Sequence, residues 1–156
     1  MRSEPVLSLF IDADACPVRT EALKVAERHR MAVHMVGNQP IPVPHGDTRI
    51  NRVVVPATPD AADDWIAEHI EAGDICVTND IPLAARCLEK NAKAVSPTGK
   101  PFTPDSIGMA LAMRDLMRDL RESGSVSGGP AGFSGKDRSR FLQALEEAVQ
   151  AVKRGK

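Results

Sequence analysis

The chain has 156 residues, 42% hydrophobic and 26% charged, which suits one domain that buries a real core without disulfide or metal staples and excludes disorder throughout. Twenty basic against 21 acidic side chains leave a net charge of −1. Any grip on a nucleic acid therefore needs a local basic patch, a partner, or a second copy of the chain in a homodimer.

Strand and helix patterns alternate along the chain. Val6 to Ile11 is a nearly unbroken apolar run, as expected of a strand covered on both faces. Pro17 opens a predicted helix running to about Arg30. Val33 to Val36 reads as a second strand, Asn38 to Asp47 as a Pro-rich loop, and Arg52 to Val55 as a third strand stopped by Pro56. The next helix lies within 58–73. Ala62, Trp65, Ile66, His69 and Ile70 form its apolar face, Thr58 or Asp60 its cap, and Gly73 its stop. Ile75 to Thr78 is a fourth strand, Ile81 to Lys90 a helix ended by Asn91, and Ala92 to Val95 a fifth strand. Ser96 to Pro104 reads as a loop. Ser106 to Glu122 is a helix with a wide apolar face, including Met109, Met113 and Met117, for which packing onto the sheet is the commoner explanation and a partner interface the other. A Gly/Ser-rich loop over 123–135 leads to a last helix over 137–153. The expected architecture is a single α/β domain over 1–156, with about five mostly parallel strands between layers of helices.

Cys16, Cys76 and Cys87 form no CxxC pair, and no apolar run is long enough to span a bilayer. The N-terminus lacks a signal-peptide pattern. A reducing, cytoplasmic setting is expected, with no membrane partner. Cys16 lacks the arginine of a phosphatase-type Cys loop and reads as structural. His29, His34, His45 and His69 show no metal-ligand spacing. Four Phe, one Trp and no Tyr argue against a base-stacking platform for single strands.

Parallel α/β sheets bind ligands beyond the carboxyl ends of their strands, at a switch in strand order. Asp12 and Asp14 follow the first strand. Thr78, Asn79 and Asp80 close the fourth, and Asp60, Asp63 and Asp64 open the helix after the third, where their spacing groups them on one side. Like charges gathered at one edge raise each other's pKa, and the natural counter-charge is Mg²⁺ or Mn²⁺ on hard oxygen ligands. Such ions support phosphodiester cleavage. Each carboxylate also has a structural reading: Asp60, Asp63 and Asp64 suit a helix N-terminus, Asp80 a helix cap, and Asp12 and Asp14 the helix opened by Pro17. Lys100, Lys136 and Arg138 are candidate phosphate contacts, with a solvated helix face as the alternative.

The segments DADACPV at 12–18, DAADDWI at 60–66, GDICVTNDIPLAA at 73–85 and GGPAGFSGKDRSRF at 128–141 resemble the conserved blocks of the bacterial YaiI/YqxD family. This resemblance implies a PIN-like fold, related in outline to PIN ribonucleases and flap endonucleases. It maps the first-strand Asp of PIN domains onto Asp12 and the T-x-D at the fourth strand onto Thr78, Asn79 and Asp80. The acidic position on the intervening helix maps onto Asp60, Asp63 or Asp64. Many PIN domains place another acid after the next strand. Here 96–103 has none, and Asp14 is the candidate for that role. The expectation is a metal-dependent nuclease acting on RNA rather than DNA, with Asp12, Asp14, Asp60, Asp63, Asp64 and Asp80 as metal ligands and Thr78 and Asn79 positioning metal, water or phosphate. A non-catalytic PIN-like module that binds nucleic acid or protein is the alternative. A haloacid-dehalogenase-type phosphatase using Asp12 as nucleophile and Lys100 on phosphate is the lesser one.

Overall fold

The computed structural model describes residues 7–14, 16–39, 49–58, 60–122 and 133–155. Within them the strands are β1 (Ser8–Asp12), β2 (Ala32–Gly37), β3 (Ile50–Val54), β4 (Ile75–Val77), β5 (Lys93–Val95) and β6 (Pro101–Phe102). The helices are α1 (Arg19–Arg28), α2 (Ala61–His69), α3 (Ile81–Glu89), α4 (Pro104–Glu122) and α5 (Gly135–Lys153). They form an α/β fold around one six-stranded sheet in the order β3-β2-β1-β4-β5-β6. Every pairing is parallel except β5 with β6.

The central strands are apolar on both faces because both faces are covered. From β1, Leu9 and Ile11 join Ala22 and Val25 of α1 and Phe141, Leu145 and Val149 of α5 in one buried cluster. Phe10, pointing the other way, joins Ile66 of α2 and Leu83 and Cys87 of α3 in a second. Strand β4 repeats the split, with Ile75 and Val77 on one side and Cys76 on the other.

Most departures from expectation are local. Helix α1 begins at Arg19, after a turn containing Pro17, and Arg30 takes a left-handed φ of 56° beyond its end. Helix α2 is shorter than its apolar periodicity, running from Ala61 to His69. Asp60 holds its N-cap position without a side-chain cap bond, and the Ala61 N–H donates instead to the Thr58 carbonyl at 3.3 Å. Asn91, with φ 64°, follows α3 as expected. A sixth strand lies inside the expected 96–104 loop. There the Ser96 N–H donates to the Lys100 carbonyl at 2.9 Å and Gly99 takes a φ of +89°. A Cβ on Gly99 would stand 2.5 Å from the Arg140 carbonyl carbon, so this turn lies against α5 only as glycine.

The two longest helices differ sharply. Helix α5 starts at a capping box between Ser134 and Asp137 and buries Phe141, Leu145 and Val149. Helix α4 packs chiefly on α3 rather than on the sheet, and leaves Met109 70% exposed and Met113 and Leu116 each 50% exposed. The apolar face expected to pack on the sheet therefore stays largely open in the single chain. Residues 123–132 of the Gly/Ser-rich stretch, the 40–48 segment and His45 lie outside the described residues.

Candidate metal centre at the strand switch

Strand order reverses between β1 and β4, since one crossover leads from β1 outward to β2 and the other half of the sheet starts at β4. This is where a doubly wound sheet opens a crevice. Asp12 ends β1 there, on the same face as Phe10. The Thr78 hydroxyl, 1% exposed, donates to Asp12 Oδ2 at 2.8 Å. Thr78 Oγ1 in turn accepts the Asp80 N–H at 3.0 Å. One buried hydroxyl thus ties the first-strand carboxylate to the fourth-strand loop. Asp80 caps α3, its Oδ1 accepting the Leu83 N–H at 3.0 Å. The capping role foreseen for Asp80 is real, and the same carboxylate also meets Asp63.

Asp12, Asp14, Asp63 and Asp80 line one open cavity of about 400 Å³, whose other walls include Asn38, Thr58 and Ala62. Asp14 is exposed, and its carboxylate accepts the Asn38 N–H at 3.1 and 3.2 Å, joining the β1 loop to the end of β2. No basic side chain lines the cavity among the described residues. The electrostatics follow from that. Burial, then the hydrogen bond and charge of Asp80, then the charges of Asp12 and Asp60, push the Asp63 carboxyl up to about 7. Burial also raises Asp12, opposed by the Thr78 hydrogen bond and aided by the charges of Asp80 and Asp14.

The other expected site residues are placed apart. Asp64 turns away from Asp63 and pairs with Arg86 at 2.9 Å on the surface. The three helix carboxylates therefore do not act as one face. Asp60 is exposed and reaches the cavity only through its charge on Asp63. Asn79 is exposed and does not line the cavity. Neither do Lys100, Lys136 and Arg138. The Arg138 guanidinium pairs with Glu21 at 2.9 Å and lies 5.0 Å from the centre of the Phe133 ring. Ser96, 4% exposed, stands at the carboxyl end of β5, and its Oγ accepts the Lys100 N–H at 3.0 Å. Burial pushes the Cys16 thiol up, the reverse of an activated nucleophile. Asn38 and Thr58 had escaped attention as cavity residues, although both closely follow strands and the carboxyl-edge rule points at them.

A hard divalent cation suits this donor set, which is all oxygen and crowded with like charge. As they stand, no three His, Cys, Asp or Glu side chains among the described residues converge into a ready-made metal site. The fit is one of chemistry and charge rather than of preformed coordination. No helix among the described residues is long and apolar enough to cross a membrane.

Fold and cavity together define an α/β protein with an acidic cavity at its strand switch. The chain belongs to the family described as "Uncharacterized BCR, YaiI/YqxD family", whose pattern matches residues 10–151. It is 77% identical over 150 residues to a UPF0178 protein of Rhodospirillum rubrum, covering 96% of this chain and 100% of the relative. A UPF0178 protein of Parvibaculum lavamentivorans is 60% identical over 146 residues, covering 94% of this chain and 95% of the relative. One of Azorhizobium caulinodans is 56% identical over 153 residues, covering 98% and 95%. No solved structure matches the chain.

Proposed function

We propose that this protein is a nuclease dependent on Mg²⁺ or Mn²⁺ that hydrolyses phosphodiester bonds in RNA. The observation that carries the reading is the gathering of Asp12, Asp63 and Asp80 on one cavity that no basic side chain lines among the described residues, where burial and then the neighbouring carboxylates push Asp63 up to about 7. Asp12, Asp63 and Asp80 are the residues that would hold the cation, with Asp14 beside them. A divalent ion so bound supplies counter-charge for the phosphate and lowers the pKa of a water. The protein's own part is to aim the carboxylates. The Thr78 hydroxyl fixes Asp12 Oδ2, and the α3 cap fixes Asp80 through Oδ1. The three buried, unpaired cysteines suit a cytoplasmic location.

Lys100 does not line the cavity, which leaves the phosphatase reading without its phosphate-binding cation. A non-catalytic RNA-binding module is favoured by one observation: the end of β5 carries Ser96 where an acid would complete the site. Two measurements decide. Calorimetric titration of Mn²⁺ is expected to show binding in the wild type and its loss in Asp12→Asn. A labelled RNA is expected to be cut by the wild type with Mn²⁺, and not by Asp12→Asn or Asp80→Asn at unchanged circular dichroism. Equal cleavage by the variants sinks the assigned site. RNA binding that persists in EDTA, with no products in Mn²⁺, makes the protein a binding module.

A further inference from the structure

A second cavity, about 350 Å³, lies on the same face of the sheet, one strand row nearer the amino ends. Its floor is the register row Phe10–His34–Asn51 across β1, β2 and β3. Its wall is Trp65 and His69 from α2. Aromatic residues are scarce in this chain, yet four rings gather here. Phe10 stacks on His34 at 4.6 Å between centroids, and Trp65 stacks on His69 at 3.9 Å. Trp65 lies 6.1 Å from Phe10 and 5.9 Å from His34, both tilted, so the two stacks lean together into one apolar corner.

Carboxylates and ring nitrogens supply the polar edge. His69 Nδ1 donates to the Trp65 carbonyl at 2.7 Å, which leaves Nε2 of the neutral ring as an acceptor. The Asn51 amide nitrogen donates to His34 Nδ1 at 3.3 Å, which leaves Asn51 Oδ1 as an acceptor. Asp74 Oδ2 accepts the Glu71 N–H at 2.9 Å, fixing the turn that places Glu71 and Asp74 along the cavity wall. Acceptors on His69 and Asn51 and the acids Glu71 and Asp74 thus stand beside a wall of flat rings. No Lys or Arg lines this cavity among the described residues, so no permanent cation there favours a phosphate.

We infer that this cavity binds a nucleobase whose polar edge donates, guanine being the best match: rings to stack on, and a carboxylate at Glu71 for the adjacent N1–H and N2–H₂. A carboxylate accepts such a paired donor in two parallel bonds, and a base lacking that pair leaves it unmet. Phe10 and Asp12 are two residues apart in β1, about 7 Å, and Asp63 and His69 are six apart in α2, about 9 Å. One nucleotide of a single strand covers that interval, so the guanine site stands next to the acidic cavity. The same base chemistry is offered by a free guanine nucleotide and by a guanine in RNA.

Trp65 is the chain's single tryptophan, so its fluorescence reports this cavity alone. Titrating GMP, AMP, UMP and ribose 5-phosphate into the full-length protein in EDTA keeps metal chemistry silent, so the outcome does not depend on whether the acidic cavity cleaves anything. GMP is expected to give a saturable change at submillimolar to millimolar concentration, and ribose 5-phosphate none. Glu71→Gln is expected to weaken GMP about tenfold and to leave any AMP response in place. A short RNA with one guanine that binds at least about tenfold tighter than GMP identifies a strand as the source, and equal affinity identifies the free nucleotide. The inference is overturned if GMP gives no saturable change, if AMP, UMP or ribose 5-phosphate matches it, or if Glu71→Gln binds GMP as the wild type does.

Discussion

The two ends of α2 face the same side of the sheet and are built on opposite principles. At its N-terminal end Asp63 meets Asp80 and Asp12, and like charge accumulates in a cavity that no basic side chain lines among the described residues. At its C-terminal end Trp65 and His69 lie over Phe10 and His34, and the groups there are largely rings stacked in pairs, with His69 also bonded to the Trp65 carbonyl. The first end is less stable than it would be with neutral side chains, and the proposed cation would relieve it. The second is held by packing and gains little from a counter-charge. Replacing a side chain should therefore have opposite signs at the two ends.

Phe10→Ala is the largest expected effect. The ring is 2% exposed and serves both the core and the second cavity, so its loss should cost about 3–5 kcal/mol in urea unfolding, at every pH. Thr78→Val comes next. It removes the donor to Asp12 and the acceptor for the Asp80 N–H, for a loss of about 2 kcal/mol, and should weaken Mn²⁺ binding as well.

Asp63→Asn should stabilise the metal-free protein. Its carboxyl is raised from 3.8 in the ordinary state to about 7 in the folded one, so the folded state holds the proton that the unfolded state has already released. Stability from this group is complete below about pH 4 and is lost as pH rises to about 7. The shift corresponds to about 4 kcal/mol, and solvent screening of a side chain this open leaves about 1–2 kcal/mol. In EDTA the variant should match the wild type at about pH 4 and exceed it at about pH 8. A variant less stable than the wild type at the higher pH would break the comparison. Asp64→Asn is the smallest effect. Its bond to Arg86 joins two exposed side chains, and the change should stay within about 0.5 kcal/mol, with metal binding intact.

Much of this was legible in the chain. The unbroken apolar run of β1 announced a strand covered on both faces, and the alternation of strands with helices announced a parallel sheet. The carboxyl-edge rule then selected Asp12, Asp14 and Asp80. Strand β6 was missed because two residues, the first a proline, carry no period. The α2 carboxylates were grouped by spacing alone. Yet neighbouring helical positions differ by about 100° in direction, and that step is enough to send Asp63 into the cavity and Asp64 out to Arg86.

The sequence by itself determined, β6 apart, which segments become strands or helices, which of their faces are apolar, and which residues stand just beyond each strand, because those properties are local and periodic. Tertiary structure alone decided that β1 and β4 are neighbours, that Thr78 reaches Asp12, that α4 leaves Met109 and Met113 in solvent, and that rings from β1, β2 and α2 share one cavity. Those outcomes depend on strand order and on the angle at which each helix docks. Both are set by the summed packing of remote segments, which no local pattern records.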